Sequence, residues 1–224
     1  MAIVVVYVHG LWLPGGESFL LRRRLSRSLG AECRMFRYPS VTESLTENAV
    51  ALGKFLGGVS AETLHLVAHS MGGVLILKLF ELSAASTGPL AGLARALPAG
   101  RIVLSGSPVR GSRSAARLDR LPLGRALLGL SAAESLVTPS VPRWAGERDL
   151  GVIAGDLGLG LGRLLGKMDA PSDGTVCVDE TDLPGAREQI RVRVSHSGMV
   201  FSAEVARQTA AFLRDGHFRI APPR

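Results

Sequence analysis

The stretch Leu64-His65-Leu66-Val67-Ala68-His69-Ser70-Met71-Gly72-Gly73 decides the fold of this chain. Its first half predicts a strand that is buried on both faces, and its second half opens an apolar helix. A serine between such a strand and such a helix must lie in a tight turn, which requires small residues two positions before and after it. Ala68 and Gly72 meet that requirement. The turn places the Ser70 hydroxyl above the sheet, where the positive end of the helix dipole points toward it.

This turn has the form of a nucleophile elbow, with A-x-S-x-G in place of the commoner G-x-S-x-G. The alternative role for Ser70 is that of a helix N-cap without chemistry. A serine hydroxyl is a poor nucleophile by itself, so it needs a general base, and the base needs an orienting acid. We expect His196 to be the base. It follows a predicted strand over Ile190–Val194, at the carboxyl edge where parallel α/β sheets place their sites.

For the orienting acid, the sequence offers three aspartates after the predicted strand Leu150–Ala154. Asp173 lies in the turn-forming stretch 171–176, from which a carboxylate can reach Nδ1 of a histidine on the neighbouring strand. Asp156 follows the same strand directly, but a glycine-rich connection comes after it. Asp169 is a weaker alternative. We therefore favour Asp173, with Asp156 as its main competitor.

Acyl transfer also needs two N–H donors for the oxyanion of the tetrahedral intermediate. The backbone of Met71, directly after the candidate nucleophile, is expected to supply one donor. Leu11 is expected to supply the other, because it lies in the glycine-containing loop 9–16 after the first strand and Gly10 allows close backbone approach. This loop lacks both nucleotide-binding patterns, G-x-G-x-x-G and G-x-x-x-x-G-K-[ST].

Short β-branched runs alternate with helical patterns along the chain, which predicts one doubly wound α/β domain over residues 1–224 with a six-stranded parallel sheet. The predicted strands span Ile3–Val8, Cys33–Arg37, Thr63–Ala68, Arg101–Leu104, Leu150–Ala154 and Ile190–Val194. The predicted helices span Glu17–Leu29, 44–56, Met71–Ser83 and Phe201–Leu213.

The composition excludes disorder, since 46% of the 224 residues are hydrophobic. The formal charge of +7 raises the possibility of nucleic-acid binding, although arginine in place of lysine is as well explained by coding habit. Cys33 and Cys177 have neither disulfide-framework nor metal-ligand spacing, and they fit a reducing compartment. The chain starts without a basic n-region and has no apolar run of membrane-spanning length, so we expect a cytoplasmic protein.

The chain resembles the α/β-hydrolase superfamily, in particular its small bacterial lipases and related serine esterases. Five motifs carry the resemblance, in the family's order: Val8-His9-Gly10-Leu11, residues 67–73, Gly106-Ser107-Pro108 with Gly111-Ser112, Asp173-Gly174-Thr175-Val176, and residues 195–199 around His196. The order Ser70, Asp173, His196 is also that of this superfamily. The resemblance implies ester hydrolysis through an acyl-enzyme, without metal or cofactor. It also implies sheet order 4-3-5-6-7-8 in the family's numbering, with the first two family strands missing.

In this fold a cap is usually inserted after the family's sixth strand, and here the segment 109–148 allows only one or two helices. Its leucines are expected to pack on the sheet or to form part of an acyl-binding wall. Trp12 and Leu13, beside the oxyanion loop, are the candidate substrate-binding residues. Seven arginines against Asp119 give residues 95–125 a balance of +6, which would favour anionic substrates or peripheral contact with anionic lipid if they flank the site.

The expected partner is therefore a small acyl ester or lipid, and not nucleic acid. Two alternatives remain open from the residues alone. The same triad could serve an acyl thioesterase or a lysophospholipase. The chain could also be a non-catalytic binding protein with a hydrolase fold.

Overall fold

The computed structural model describes residues 2–137, 143–160 and 170–219. Its centre is a six-stranded sheet in the order β2-β1-β3-β4-β5-β6, in which all five neighbouring pairs are parallel. This order corresponds to the predicted 4-3-5-6-7-8 arrangement and confirms it. The strands are β1 (Ile3–Val8), β2 (Glu32–Phe36), β3 (Thr63–His69), β4 (Ile102–Ser105), β5 (Leu150–Gly155) and β6 (Glu188–Val192).

The described helices cover both faces of this sheet. Because side chains alternate along a strand, Val4 and Val6 of β1 belong to one apolar cluster while Val5 and Tyr7 belong to the other. The first cluster includes residues of α2, α3 and α6, and the second includes residues of α1 and α7. The helices are α1 (Phe19–Leu29), α2 (Leu45–Gly57), α3 (Met71–Ala84), α4 (Leu93–Ala96), α5 (Arg113–Asp119), α6 (Gly124–Leu136) and α7 (Ala203–Asp215).

Most observed boundaries lie within one or two residues of the predicted ones. The largest consequence is at β6, which ends at Val192 rather than Val194, so the chain turns before it reaches His196. A short 3₁₀ helix over Ser197–Val200 follows that histidine. The last helix begins at Ala203 because Ser202 caps it, with Oγ accepting a hydrogen bond from the backbone of Val205.

The cap-like segment after β4 contributes α5 and α6, as expected for a minimal cap. Helix α6 bends at Gly129, whose φ of 76° lies in the left-handed region. Beyond the bend, α6 is bound to the connection between β2 and α2: Leu130 N donates to Val41 O at 2.9 Å, and Ser131 Oγ donates to Glu43 O at 2.7 Å. These bonds join α6 to the segment that leads into α2. Residues 138–142 of the segment lie outside the described chain.

Within the three described ranges, no helix combines the length and the apolar character that a membrane span requires. The division of the chain into a single domain over residues 1–224 stays a prediction.

Candidate active site

The connection between β3 and α3 is a one-residue turn at Ser70. The strand ends at His69 and the helix begins at Met71, which leaves Ser70 with φ 54° and ψ −129°. A positive φ in a residue other than glycine is costly and is concentrated at functional sites. The turn also requires glycine at position 72, where a Cβ would lie only 2.6 Å from the carbonyl oxygen of His9. The sequence-predicted elbow is therefore present as a backbone geometry.

Three side chains from three connections meet at the carboxyl edge of the sheet. His196 Nε2 lies 3.0 Å from Ser70 Oγ, and His196 Nδ1 lies 2.7 Å from Asp173 Oδ2. Asp173 and His196 are 1% and 9% exposed, so water has little access to the bond between them. The structure thus brings together the three predicted residues in one hydrogen-bonded chain from Asp173 through His196 to Ser70.

The Asp173 carboxylate is held in place by its own turn. Oδ1 accepts hydrogen bonds from the backbone N–H groups of Thr175 (2.9 Å) and Val176 (2.7 Å), which leaves Oδ2 for His196. The Asp173 carbonyl also accepts a bond from the backbone of His196 at 2.9 Å. These contacts fix both the carboxylate and the histidine loop.

The two competing aspartates have different positions. Asp156 is exposed, and no hydrogen bond joins its carboxylate to His196 in the described structure. Asp169 lies outside the described residues. Geometry therefore favours Asp173 over Asp156 as the partner of the histidine.

The loop after β1 lies directly against the elbow. A Cβ on Gly10 would lie 2.9 Å from the Cβ of Ser70. In the described part of the chain, neither Leu11 N–H nor Met71 N–H donates to an acceptor. Both predicted donors thus flank the candidate nucleophile with unused hydrogen-bonding capacity.

His9 and Tyr38 hold this loop. His9 Nδ1 donates to Gly10 O at 2.8 Å, Nε2 accepts from the backbone of Tyr38 at 3.2 Å, and the Tyr38 hydroxyl donates to His9 O at 3.0 Å. The two rings stack with centroids 4.3 Å apart. Burial lowers the pKa of His9, so its ring is neutral and has one donor and one acceptor for these partners.

A model of the alpha/beta hydrolase family matches residues 5–219, nearly the whole chain. The chain belongs to the alpha/beta hydrolase family. A comparison with curated proteins gives no sequence match.

Solved structures share the fold of this α/β hydrolase at low identity. The Bacillus licheniformis lipase BlEst2 in its propeptide form superposes with a TM-score of 0.66 at 16% identity, covering 100% of this chain and 52% of the lipase. The metagenomic carboxyl esterase MGS0156 gives 0.63 at 21% identity, covering 87% of this chain and 64% of the esterase. The pyrethroid hydrolase PytH gives 0.63 at 12% identity, with coverage of 96% and 99%. The chain therefore spans about half the length of the lipase and less than two thirds of the esterase.

Gly106 is a further residue of the candidate site, and the sequence motif that contains it did not predict a role for it. Its φ is 56°, and a Cβ there would lie 3.2 Å from both Asp173 Oδ2 and His196 Nδ1. A Cβ at this position would therefore press on both atoms of that bond, which would have to shift by a few tenths of an ångström. The sequence feature that could have indicated this role is the Gly106-Ser107-Pro108 motif directly after a strand. It contributed to the family resemblance, but no function was assigned to it.

The two predicted substrate-binding residues lie next to the oxyanion loop. Trp12 has a φ of 60° and is 54% exposed, and its Nε1 donates to Leu127 O on α6 at 2.8 Å. Leu13 is half-buried. Trp12 therefore connects the loop that carries Leu11 to the cap-like segment. Contact of Trp12 and Leu13 with substrate stays a prediction.

The positive balance of residues 95–125 is largely neutralised by ion pairs. Five of its seven arginines lie within 4.0 Å of a carboxylate oxygen, which leaves Arg117 and Arg120 as the two without an ion pair in the described structure. The paired residues are Arg95 with Glu147, Arg101 with Asp149, Arg110 with Asp182, Arg113 with Asp179, and Arg125 with Asp119. The segment therefore presents much less free positive charge than its composition suggests.

Proposed function

We propose that this α/β hydrolase cleaves carboxylic esters through an acyl-enzyme formed on Ser70. The observation that carries the proposal is the hydrogen-bonded chain from Asp173 through His196 to the strained Ser70. This chain has the relative geometry that activates a serine in serine hydrolases. Its three members come from different connections of the sheet, so their meeting is not a local consequence of sequence.

In the proposed first half-reaction, Ser70 Oγ attacks the carbonyl carbon of the ester while its proton passes to His196 Nε2. The Asp173 carboxylate stabilises the resulting imidazolium and keeps Nδ1 protonated. The tetrahedral intermediate collapses when the bond from its carbon to the alcohol oxygen breaks and Nε2 returns its proton to that oxygen. A water molecule then attacks the acyl-enzyme by the same steps, releasing the carboxylic acid and Ser70.

The negative charge on the intermediate needs donors that are already in place. We assign this role to the backbone N–H groups of Leu11 and Met71, which have no other acceptor in the described chain. Met71 is the first residue of α3, so the positive end of the helix dipole adds to its effect. The hydrogen bonds between His9 and Tyr38 keep the Leu11 loop in position.

The exposed apolar residues around this edge favour a substrate with an apolar acyl chain. Trp12 is 54% exposed, and Leu123, Leu127 and Leu130 of the cap-like segment are 80%, 56% and 54% exposed. Because most nearby arginines are already paired, we propose an uncharged acyl ester or lipid in contact with Trp12 and Leu13. Within residues 95–125, contact with anionic lipid would depend on the two arginines without an ion pair in the described structure, Arg117 and Arg120.

Ester hydrolysis is tested with the Ser70→Ala variant on a panel of esters and thioesters of increasing acyl length. We expect the wild-type protein to turn over esters and Ser70→Ala to lose on the order of 10⁶-fold in kcat, because the nucleophile is removed. Ser86→Ala, which changes an exposed serine, is the matched control and should keep full activity.

The panel also separates the alternatives. Preference for thioesters would indicate that the protein is an acyl thioesterase with the same triad. Preference for lysophospholipids would indicate that it is a lysophospholipase. A folded wild-type protein that hydrolyses none of them would support the non-catalytic binding protein.

A further inference from the structure

We propose that His69 is a positioning residue that holds the main chain of His196, so that the ring of His196 stays within hydrogen-bond distance of Ser70. This inference rests on the proposed function. His69 is the last residue of β3 and is 1% exposed. Its Nε2 lies 3.0 Å from the carbonyl oxygen of His196. His69, which directly precedes the candidate nucleophile, therefore binds the backbone of His196, the candidate base 127 positions further along the sequence.

The hydrogen bond fixes the tautomer of His69. A carbonyl oxygen can only accept, so Nε2 of His69 must carry the proton. Nδ1 is then an acceptor, and it is buried with no partner in the described structure. Protonating Nδ1 would create a second donor with nothing to receive it. The ring therefore acts as a neutral, single-donor contact to His196.

His69 also supports His196 through its ring. The two ring centroids are 4.6 Å apart with an interplanar angle of 44°. Burial and the neighbouring His196 lower the pKa of His69 to about 3, so it stays neutral when His196 takes up the Ser70 proton. A neutral ring can support the imidazolium without repelling it.

The bond to His69 completes the anchoring of His196. Its backbone N–H donates to Asp173 O, its carbonyl accepts from His69 Nε2 and from the backbone of Met199, and its ring nitrogens face Asp173 and Ser70. The Met199 bond, at 3.3 Å, comes from the same loop and moves with it. Of the carbonyl's two bonds in the described structure, only the one from His69 joins the loop to β3, the strand that ends directly before Ser70.

The chain offers a matched pair of substitutions. In His69→Gln, the side-chain amide nitrogen can occupy the place of His69 Nε2 and donate to the same carbonyl. In His69→Asn, the amide nitrogen falls at the place of Nδ1, where the described structure has no acceptor. The two variants differ by one methylene, and both are uncharged and polar.

We expect His69→Asn to lose about 100-fold in kcat, the scale of a misplacement of about 1 Å in an active site. Its KM should stay within about twofold because buried His69 does not touch substrate. His69→Gln should keep kcat within about threefold of the wild type. We expect the short bond to Asp173 to shift the proton NMR signal of the His196 Nδ1–H downfield. His69→Gln should keep the wild-type signal, and His69→Asn should shift or lose it.

Equal kcat values for the folded Gln and Asn variants would overturn the proposal. If His69→Asn does not fold, His69→Gln decides alone: loss of kcat and of the Nδ1–H signal in the folded variant would overturn it. The NMR comparison does not need turnover. A wild-type protein without ester hydrolysis would therefore contradict the proposed function, while the signals still test the role of His69.

Discussion

The carboxyl and amino edges of the sheet each hold a buried histidine and a carboxylate, but the carboxylate at the amino edge, Asp149, is half-buried and the two sets of hydrogen bonds differ. At the carboxyl edge, Asp173, His196 and Ser70 form a chain of hydrogen bonds. At the amino edge, a cavity of about 1520 Å³ is lined by residues at the starts of β3, β4 and β5, among them His65 and Arg101. This cavity lies at the edge without the elbow.

The polar groups at the amino edge satisfy one another. His65 Nδ1 accepts from the backbone of Arg101 at 2.9 Å, and the Arg101 guanidinium binds Asp149 and the Leu213 carbonyl. Arg148 donates to three backbone carbonyls. These contacts tie the starts of the strands to nearby loops. These hydrogen bonds end on a ring nitrogen, a carboxylate and backbone carbonyls, and not on a hydroxyl that could act as a nucleophile.

The carboxyl-edge chain ends instead on a hydroxyl whose proton can leave. Asp173 Oδ1 accepts from two backbone N–H groups, and the His196 ring lies between Asp173 Oδ2 and Ser70 Oγ. The loop that carries Leu11 lies directly against Ser70. A cavity by itself therefore does not identify the candidate site. The directed hydrogen-bond chain that ends at the strained Ser70 is the distinguishing feature.

The largest difference in kcat between variants is expected for the orienting acid, Asp173. Asp173→Asn should lower kcat by about 10⁴-fold, because an amide does not hold His196 in the required tautomer. Steady-state kinetics on the best ester of the panel measures this loss. Asp156→Asn is the matched control and should stay near wild-type activity, since Asp156 is exposed and not bonded to His196. A reversed result would make Asp156 the acid.

A smaller effect is expected at Gly106. A Cβ there would lie 3.2 Å from both Asp173 Oδ2 and His196 Nδ1, so Gly106→Ala should lower kcat by about 100-fold through misplacement of the pair. Gly30→Ala is the control, because Gly30 has a similar φ of 62° with open space around its Cα. Both variants should lose about 1 kcal/mol of unfolding free energy to backbone strain. Equal kcat values in the two would refute the steric argument.

The smallest effect on rate is expected at the amino edge. Burial, with Arg101 and Arg148 nearby, lowers the pKa of His65 to about 4, below its ordinary 6.5. As pH drops, the His65 ring takes up a proton at a higher pH in the unfolded chain than in the folded one. The unfolding free energy therefore falls between about pH 6.5 and 4, by about 1–2 kcal/mol at pH 5.

His65→Asn can keep an acceptor near Arg101 N–H and removes the titrating ring. Its unfolding free energy should therefore change less between pH 7 and 5 than that of the wild type, with kcat at pH 7 unchanged within about twofold. Chemical denaturation at both pH values, together with ester turnover, measures this. A variant that loses turnover while keeping its stability would give the amino edge a catalytic role that the comparison denies it.

The strands and the elbow could be predicted from local sequence pattern, whereas the order of the strands in the sheet came from the resemblance to the α/β-hydrolase superfamily. A buried run followed by Ala68-His-Ser70-Met-Gly72 leaves few backbone alternatives, and the structure has that turn at Ser70. Contacts between distant residues were harder to predict. The choice between Asp173 and Asp156 depends on which turn faces His196, and that direction has no signature in a single sequence.

Two further features were beyond local pattern. The crowding at Gly106 depends on Asp173 and His196 together, which lie 67 and 90 positions further along the chain. The positive balance of residues 95–125 counted charges without their partners, and most of those partners lie outside the segment, such as Asp149, Asp179 and Asp182. Composition over a short window therefore overstated the free charge.

The proposed acyl-enzyme mechanism requires that Ser70 is an activated nucleophile. Labelling the wild-type protein with a fluorophosphonate and locating the adduct by peptide mass spectrometry tests this directly, with no need for the natural substrate. We expect one adduct per chain on Ser70, none in Ser70→Ala, and much slower labelling in Asp173→Asn. A folded wild-type protein that stays unlabelled, or one labelled at another residue, would contradict it.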